Sequence, residues 1–397
     1  MLIRGGIVHD GLGHTFPADV RVESGLVAQV APGLDPREGE EVVDATGTHV
    51  LPGFCQAVSS WGVNGSMTEL RPSSQDNDEV SDPVTPYLDA FYAFNGRACS
   101  RQQLARFGVT CVGVTPTDNN VFGGLVAAFE VDGVNPYRMC LARDVAMMAS
   151  VHAPHVKAAH REGPGAIQTR MEIHQRFSSL LDRAEAHAER RAAAEAAGEG
   201  AEKPDDVLDA LARVTSGELP LWVSCDSACA VAHVREAVSR HPGVRLVLLN
   251  GYGLREDDAD WLLEGDVAVV VRPGSSPSEK PSLDLDLAAV AELVRRGVRV
   301  VMGGESSHEL NCREDMLWCA AMLMRELHDP DLVLPTVTSA PAELLGLGGV
   351  TGAVEPGRRA DLALWSDDPL VTYQARLLRT LQAGRTVYRE GDEHTWL

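Results

Sequence analysis

The central part of this 397-residue chain alternates short apolar runs with amphipathic stretches, and this alternation constrains the fold more than any other feature. The runs are rich in Val and Leu, whereas the stretches between them carry apolar residues at helical spacing. Apolar strands that alternate with helices are typical of a parallel sheet covered on both faces. The strands predicted in this way are LPGFCQAV (51–58), FGVTCVGV (107–114), LVAAFEV (125–131), PLWVSCDS (220–227), RLVLLNGY (245–252), VAVVVRP (267–273) and VRVVMGG (298–304).

An eighth strand is needed to close such a sheet into a ring, and the segment MCLARDVAM (139–147) is the candidate for it. About eight strand and helix units in the central residues suit an α/β fold of the closed (β/α)8, or TIM-like, barrel type. A doubly wound open sheet is the competing architecture.

The two ends of the chain have a different texture. Short alternating runs broken by Gly and Pro fill residues 1–53 and return near the C-terminus, which is typical of antiparallel β structure. We therefore expect one small β-sandwich built from residues 1–53 and 354–397, and a barrel over residues 54–353. An Ala-rich and Glu-rich stretch near 184–206 predicts a polar helical insertion in the barrel.

Composition excludes several classes of function. The chain has 57 acidic and 35 basic residues, a formal net charge of −22, so binding to nucleic acid or to an anionic membrane surface is not expected. No apolar run is long enough to cross a membrane. Eight cysteines without a CxxC pair predict reduced thiols, and we expect a cytoplasmic protein.

Two segments carry a resemblance to a known family. THVLPGFCQAVSSWG, which leads into the first barrel strand, and SAPAELLGLGGVTGAVEPGRRADLALWSDDP near the C-terminus resemble the amidohydrolase superfamily. NDEVSDPVTPYLDAF (77–91) with FGVTCVGVTPTDNNVFGG (107–124) is similar to its imidazolonepropionase-like branch. The resemblance implies a (β/α)8 barrel with a small β-sandwich.

The resemblance also implies hydrolysis by a metal-bound hydroxide at the C-terminal mouth of the barrel. The family's ligands are a His-x-His after the first strand, often a carboxylated lysine, single histidines after strands five and six, and an aspartate after strand eight. This chain departs from that pattern at every position. The residues that stand there are Val58 and Ser60, Glu130 for the lysine, Ser224 with Asp226 close by, Asn250, and Glu305.

The positions of the lysines and histidines also disagree with the family's ligand pattern. The only lysines are Lys157, Lys203 and Lys280, and none lies on a predicted strand, so a carboxylated lysine is excluded. None of the 13 histidines falls at a predicted strand end. HAPHVKAAH (152–160) could bind a metal, but it has no carboxylate of its own, and we interpret it as a mobile surface loop. We therefore expect no divalent metal at the family site.

Other chemistry remains open at the same mouth. Glu130, Asp226 and Glu305, with Asn250, could hold a hard cation through oxygen, and Glu305 with Asp226 could act as a metal-free acid/base pair. His308 follows the last strand and is expected to rim the pocket.

Three hypotheses of function follow. The first is a non-catalytic pseudoenzyme subunit, which forms a homo- or hetero-oligomer and pairs with an intact amidohydrolase relative or another enzyme of the same pathway. The alternative is a hydrolase that cleaves a C–N bond of a cyclic amide or similar small molecule by an altered mechanism, through Glu305, Asp226 and Glu130. A module that binds or senses a small molecule is the third.

Overall fold

The structure is a computed structural model, and it describes residues 1–63, 76–97, 104–163, 165–198, 203–273, 285–303 and 315–391. Its strands, in chain order, are β1 (Leu2–His9), β2 (Thr15–Glu23), β3 (Leu26–Ala31), β4 (Val42–Asp44), β5 (His49–Pro52), β6 (Phe54–Ser59), β7 (Val109–Val114), β8 (Phe122–Leu125), β9 (Ala127–Glu130), β10 (Cys140–Ala142), β11 (Met147–Ser150), β12 (Leu221–Ser224), β13 (Leu246–Asn250), β14 (Ala268–Val271), β15 (Val300–Met302), β16 (Leu362–Trp365), β17 (Leu377–Gln382) and β18 (Arg385–Arg389).

Helices separate most of the central strands. They are α1 (Pro136–Met139), α2 (Ala153–Ala159), α3 (Arg170–Ala196), α4 (Asp206–Thr215), α5 (Ala228–Ser239), α6 (Ala259–Glu264), α7 (Leu287–Arg295), α8 (Asp315–Leu327), α9 (Pro330–Val333) and α10 (Ser339–Leu344). Single 3₁₀ turns lie at Ala90–Ala93, Ala105–Phe107, Glu256–Asp258 and Leu334–Val337. Among the described residues, no helix is both long enough and apolar enough to span a membrane.

Strands from both ends of the chain share one sheet. Its order is β18-β17-β16-β5-β1-β2-β3, with β4 paired to β1. The pairs of β1 with β4 and with β5 are parallel, and the other pairs are antiparallel. Alternate residues such as Val20 and Val22 point into an apolar core of this sheet, together with Leu362 and Leu364 from the C-terminal end. The N-terminal and C-terminal segments of the chain are thus held together by apolar side chains that they bury on the same face of this sheet.

The central strands give a TIM-barrel-like α/β fold. Strands β11 to β15 pair in parallel and in sequence order, and β6 pairs in parallel with β7. The sheets are nevertheless mixed, because β9 runs antiparallel to β7 and to β10, and β8 runs antiparallel to β11. The predicted strand 125–131 divides at Val126, which bonds to Val145 and Ala146, so the chain passes there from one sheet to the other.

The parallel strands are buried on both faces, and their side chains alternate between two apolar layers. Trp222 and Val247 belong to the layer inside the strands, whereas Val223 and Leu248 pack toward the helices. This period of two explains why the strands appear in the sequence as continuous apolar runs. Parallel pairing places the carboxyl ends of β11, β12 and β13 at one edge of their sheet, and the loop after β7 contacts this edge through Asp118 and Ser224. We call this edge the mouth, and it is where sites lie in such folds.

Candidate active site

A hydrogen-bonded polar cluster lies at the carboxyl ends of the central strands. We call Asp118, His152, His155, Ser224 and Asn250 the mouth cluster. His155 Nδ1 lies 2.7 Å from Asp118 Oδ1, and Ser224 Oγ donates to Asp118 Oδ2 at 2.7 Å. Asn250 Nδ2 donates to Ser224 Oγ at 2.9 Å. Asp118 is therefore the centre of the network.

Each member comes from a different element. Asp118 is in the loop after β7, His152 and His155 begin α2 after β11, and Ser224 and Asn250 are the last residues of β12 and β13. Asn250 has a φ of 81°, a left-handed conformation that Asn adopts more readily than most residues. Its backbone is thus adapted to aim the amide at Ser224.

The start of α2 places the two histidines. Pro154 occupies the first turn of the helix, where its fixed φ and missing N–H cost nothing, and His152 is the N-cap residue. The helix carries His155 on its first turn, and the rings of His152 and His155 are 3.9 Å apart between centroids. The interpretation of 152–160 as a mobile surface loop is therefore wrong, and Pro154 was the signal that could have shown a helix start.

Charges within the cluster are set by burial and by hydrogen bonds. Burial acts to raise the pKa of Asp118, but the hydrogen bond and charge of His155, with smaller contributions from His152 and Ser224, outweigh it and hold that pKa below its usual value. Burial lowers the pKa of His152, and nearby His155 lowers it further. Asp118 is thus ionised and His152 neutral near pH 7.

The cluster contains a set of atoms that could hold a metal ion. One atom each of Asp118, His152 and His155 lies within 4.8 Å of the others. His152 Nδ1 is buried and has no hydrogen-bond partner in the described part of the chain. A buried polar atom without a partner is costly, and a bound ion would satisfy it.

The residues predicted from the family positions are only partly brought together. Ser224 and Asn250 are in the mouth cluster, while Val58 is buried in the apolar layer inside the strands. Ser60 is also buried, and its Oγ accepts a hydrogen bond from Asn77 Nδ2 at 3.4 Å. Glu305 and His308 lie outside the described residues.

The other two carboxylates have cationic partners. Asp226 accepts two hydrogen bonds from Arg170, at 2.6 and 2.7 Å. Burial acts to raise the pKa of Asp226, but Arg170 lowers it more, so the group is ionised near pH 7. Glu130 ends β9 beside Cys111, away from the carboxyl end of β7, and accepts from Arg359 at 2.6 Å. Glu130 is therefore not part of the mouth cluster.

Comparison with known proteins defines the family. The model of the Amidohydrolase family matches residues 100–388, more than half of the chain. The chain belongs to the amidohydrolase family. A solved amidohydrolase from Thermotoga maritima MSB8 has a TM-score of 0.87 and 23% identity, with 98% of this chain and 99% of that one covered. A zinc-bound adenosine deaminase from Xanthomonas campestris has a TM-score of 0.52 and 17% identity, over 97% and 92%. These two likenesses show the fold.

Sequence relatives in this family are named as enzymes. A 5-methylthioadenosine/S-adenosylhomocysteine deaminase of Desulforudis audaxviator is 33% identical over 141 residues, which are 31% of this amidohydrolase chain and 32% of that protein. A protein of the same name from Syntrophobacter fumaroxidans is 34% identical over 140 residues, 33% and 31% of the two chains. The chain thus matches about a third of the length of these curated relatives.

Two expectations from the sequence need correction. The pseudoenzyme hypothesis is wrong, because the matched relatives are deaminases, and the alternative of a C–N hydrolase agrees better with them. The expectation of no divalent metal is also wrong, because the family and its deaminases are typically metal-dependent and the mouth cluster offers Asp118, His152 and His155. The error arose because ligands were expected at the strand ends and 152–160 was interpreted as a surface loop, whereas His152 and His155 lie at the start of α2 and Asp118 in the loop after β7.

Proposed function

We propose that this amidohydrolase is a metal-dependent hydrolase that cleaves a non-peptide C–N bond of a small molecule, with release of ammonia. The observation that carries the proposal is the mouth cluster, at the end of the fold where barrel enzymes have their sites. The names of the sequence relatives, 5-methylthioadenosine/S-adenosylhomocysteine deaminases, support this reaction class. A ring that bears an amino group, as in an adenine nucleoside, is therefore the proposed substrate class.

The residues at the mouth fit a divalent ion. Two imidazoles and one carboxylate are a donor set that zinc takes in catalytic sites, and three protein ligands leave a position for water. His152 Nδ1, buried without a hydrogen-bond partner in the described chain, is available as a donor atom. A divalent ion bound here would lower the pKa of a water molecule and polarise the carbon of the C–N bond.

The remaining members of the cluster position Asp118. Ser224 Oγ donates to one carboxylate oxygen and is itself fixed by the amide of Asn250. His155 contacts the other carboxylate oxygen, so Ser224 fixes the second one and the orientation of the group. Loss of such supporting hydrogen bonds typically changes metal affinity or activity by about 10–100-fold. Ser224 and Asn250 are therefore positioning residues in this proposal.

Arg170 and Asp226 form an ion pair near the mouth cluster. Arg170 is the first residue of α3, and Asp226 lies two residues after the end of β12. The pair's two parallel hydrogen bonds hold Asp226 as a carboxylate, which can accept but not donate a proton near pH 7. We assign the proton-accepting role to Asp118 rather than to Asp226, because Asp118 lies within the candidate ligand group, whereas Arg170 holds Asp226 through two hydrogen bonds.

The test is an assay of ammonia release by the full-length protein after reconstitution with zinc. Adenosine, 5-methylthioadenosine and S-adenosylhomocysteine are the substrates. We expect Asp118→Asn and His152→Gln to lower kcat/KM by more than about 100-fold, because even outer-shell changes cost about 10–100-fold. His14→Gln is the matched control, since its side chain is 72% exposed and lies in the loop between β1 and β2, outside the mouth cluster.

Two outcomes would refute the proposal in different ways. Zinc-loaded protein that releases no ammonia from any of the three substrates would overturn the deaminase reaction. His152→Gln with wild-type activity and wild-type zinc content would overturn the assignment of the reaction to the mouth cluster.

We also propose the finer architecture. β6, β7 and β11 to β15 would be seven of the strands of one closed eight-stranded barrel over residues 54–353, and residues 1–53 and 354–397 would form a β-sandwich. In support, α10 packs against both β6 and β15, the strands that would meet on closure. An experimental structure with a gap between β6 and β15 would refute closure. The oligomeric state and the cytoplasmic location stay predictions.

A further inference from the structure

A second cluster of imidazole and carboxylate groups lies far along the chain from the mouth cluster, in the terminal sheet. We call His9, His49 and Asp368 the terminal triad. One donor atom of each lies within 4.8 Å of the others. His9 is 3% exposed and Asp368 7%, and His49 is partly buried. His9 ends β1, His49 begins β5, and Asp368 follows β16, so the triad joins three segments from both ends of the chain.

Hydrogen bonds determine which nitrogen of His9 carries a lone pair. Thr15 Oγ1 donates its proton to Asp331 Oδ1 at 2.6 Å, so it must accept a proton from His9 Nδ1, 2.9 Å away. Neutral His9 is then protonated on Nδ1, and its Nε2 is an acceptor. That Nε2 faces His49 Nδ1 at 2.8 Å. Histidines that bind metals usually donate their other ring N–H to an outer-shell acceptor, and the Thr15 hydroxyl, itself held by Asp331, is that acceptor for His9.

The surroundings of the triad are acidic. Asp367 Oδ1 lies 3.9 Å from His49 Nε2, and Asp10 and Asp331 both act electrostatically on His9. Asp368 uses Oδ1 to accept from the backbone N–H of Leu370 at 2.9 Å, which holds its carboxylate in place. Several carboxylates around two imidazoles favour a bound cation over an empty histidine pair.

We propose that the terminal triad is a second, structural site for a divalent ion of the zinc class, independent of the mouth cluster. His9 Nε2, His49 Nδ1 and one oxygen of Asp368 are the ligands, and a water molecule completes the tetrahedron. Two nitrogens on a tetrahedral zinc ion lie about 3.3 Å apart. The two nitrogens, 2.8 Å apart in the hydrogen bond, would therefore separate by about 0.5 Å, His49 Nδ1 would lose its proton, and the rings would turn so that both lone pairs face the ion. The bound ion ties β1, β5 and the turn after β16, which stabilises the sheet that joins the chain ends.

The test is zinc stoichiometry of the full-length protein, measured by metal analysis after titration of chelator-treated protein against a chromophoric competitor. His49→Gln and Asp368→Asn should each lose one zinc equivalent and keep the other. Asp118→Asn should lose a different equivalent, so that failure of this site and failure of the proposed active site are distinguishable. His14→Gln, in the loop between β1 and β2 and directly before Thr15, is the matched control and should bind as wild type.

A second variant tests the outer shell without removing a ligand. Thr15→Val should weaken zinc binding at the terminal triad by about 10–100-fold and leave the mouth equivalent unchanged. Cobalt-substituted protein gives a further readout, because tetrahedral cobalt absorbs visible light. The absorption of His49→Gln should be lower than that of wild type by the contribution of one site. Circular dichroism of the zinc-free variants checks that they fold. If folded His49→Gln and Asp368→Asn keep the wild-type stoichiometry, the site does not exist.

Discussion

His174 on α3 should make the stability of this protein depend on pH, and replacement by glutamine should remove that dependence. Its ring packs edge-on against His233 at 4.8 Å between centroids, and its Nε2 is buried without a hydrogen-bond partner among the described residues. Burial, with the nearby charges of His233 and Arg170, lowers the pKa of His174 to about 4. Asp226 is the only opposing charge among the causes of this shift, and Arg170 already binds it.

The sign follows from the protons bound in each state. Between about pH 6.5 and about pH 4, the unfolded chain protonates this histidine and the folded chain does not, so the free energy of unfolding falls as the pH falls. Above about pH 6.5 the group has no effect, and below about pH 4 its effect is constant. The gap between the two pKa values corresponds to at most about 3.4 kcal/mol. Because the ring is only half-buried, solvent screening reduces this to about 1.5–2 kcal/mol.

Urea denaturation of wild type and His174→Gln at about pH 7 and about pH 4.5 measures the difference. Wild type should lose more stability than the variant on acidification, by about 1–2 kcal/mol. The exposed His14→Gln serves as the control and should follow wild type. If His174→Gln and wild type lose the same stability between the two pH values, His174 is protonated as easily in the folded state as in the unfolded one, and the reasoning fails.

Two further substitutions test the buried polar contacts. Ser224→Ala removes the hydrogen bonds to Asp118 and from Asn250, one of them to a charged group, and should cost about 2–3 kcal/mol in the free energy of unfolding, measured by urea denaturation. Arg359→Leu removes the counter-charge that the carboxylates of Glu130 and of buried Asp361 share, and should cost about 3–4 kcal/mol in the same assay.

Matched controls separate these effects from general perturbation. Ser239→Ala removes only a hydroxyl that donates within its own exposed helix turn, and Arg376→Leu breaks an ion pair whose arginine is 64% exposed. Each should change the free energy of unfolding by less than about 1 kcal/mol. Losses as small as those of the controls for Ser224→Ala or Arg359→Leu would contradict the corresponding argument.

The sequence predicts the elements of this fold better than their pairing. The runs 107–114, 220–227, 245–252 and 267–273 each contain a strand buried on both faces, because continuous Val and Leu content reflects burial directly. The run at 125–131 is as apolar, yet it divides between two sheets at Val126. Pairing direction depends on contacts with distant segments, which a local pattern does not contain.

The candidate site also contains some residues that the sequence could predict and others that it could not. Ser224 and Asn250 could be placed at strand ends from the sequence, because side-chain alternation and the end of an apolar run locate them. Asp118 could not, since a loop aspartate in an acidic chain carries no spacing signal. The position of His155 could have been predicted only from Pro154, because a proline in the first turn indicates the start of a helix rather than a loop.

The residues at the ends of β12 and β13, Ser224 and Asn250, and the loop residue Asp118 depend on one another. Asp118 Oδ2 lies 2.7 Å from Ser224 Oγ, so a histidine at position 224 would place its ring in the space that the Asp118 carboxylate occupies. Serine is short enough to admit that carboxylate and still donate to it, and the amide of Asn250 then fixes the serine. The small polar residues at the ends of β12 and β13 are thus what lets Asp118 reach His155 and stand beside His152. In this geometry, Asp118, His152 and His155 can come together because the ends of β12 and β13 carry small polar residues instead of the family's histidines.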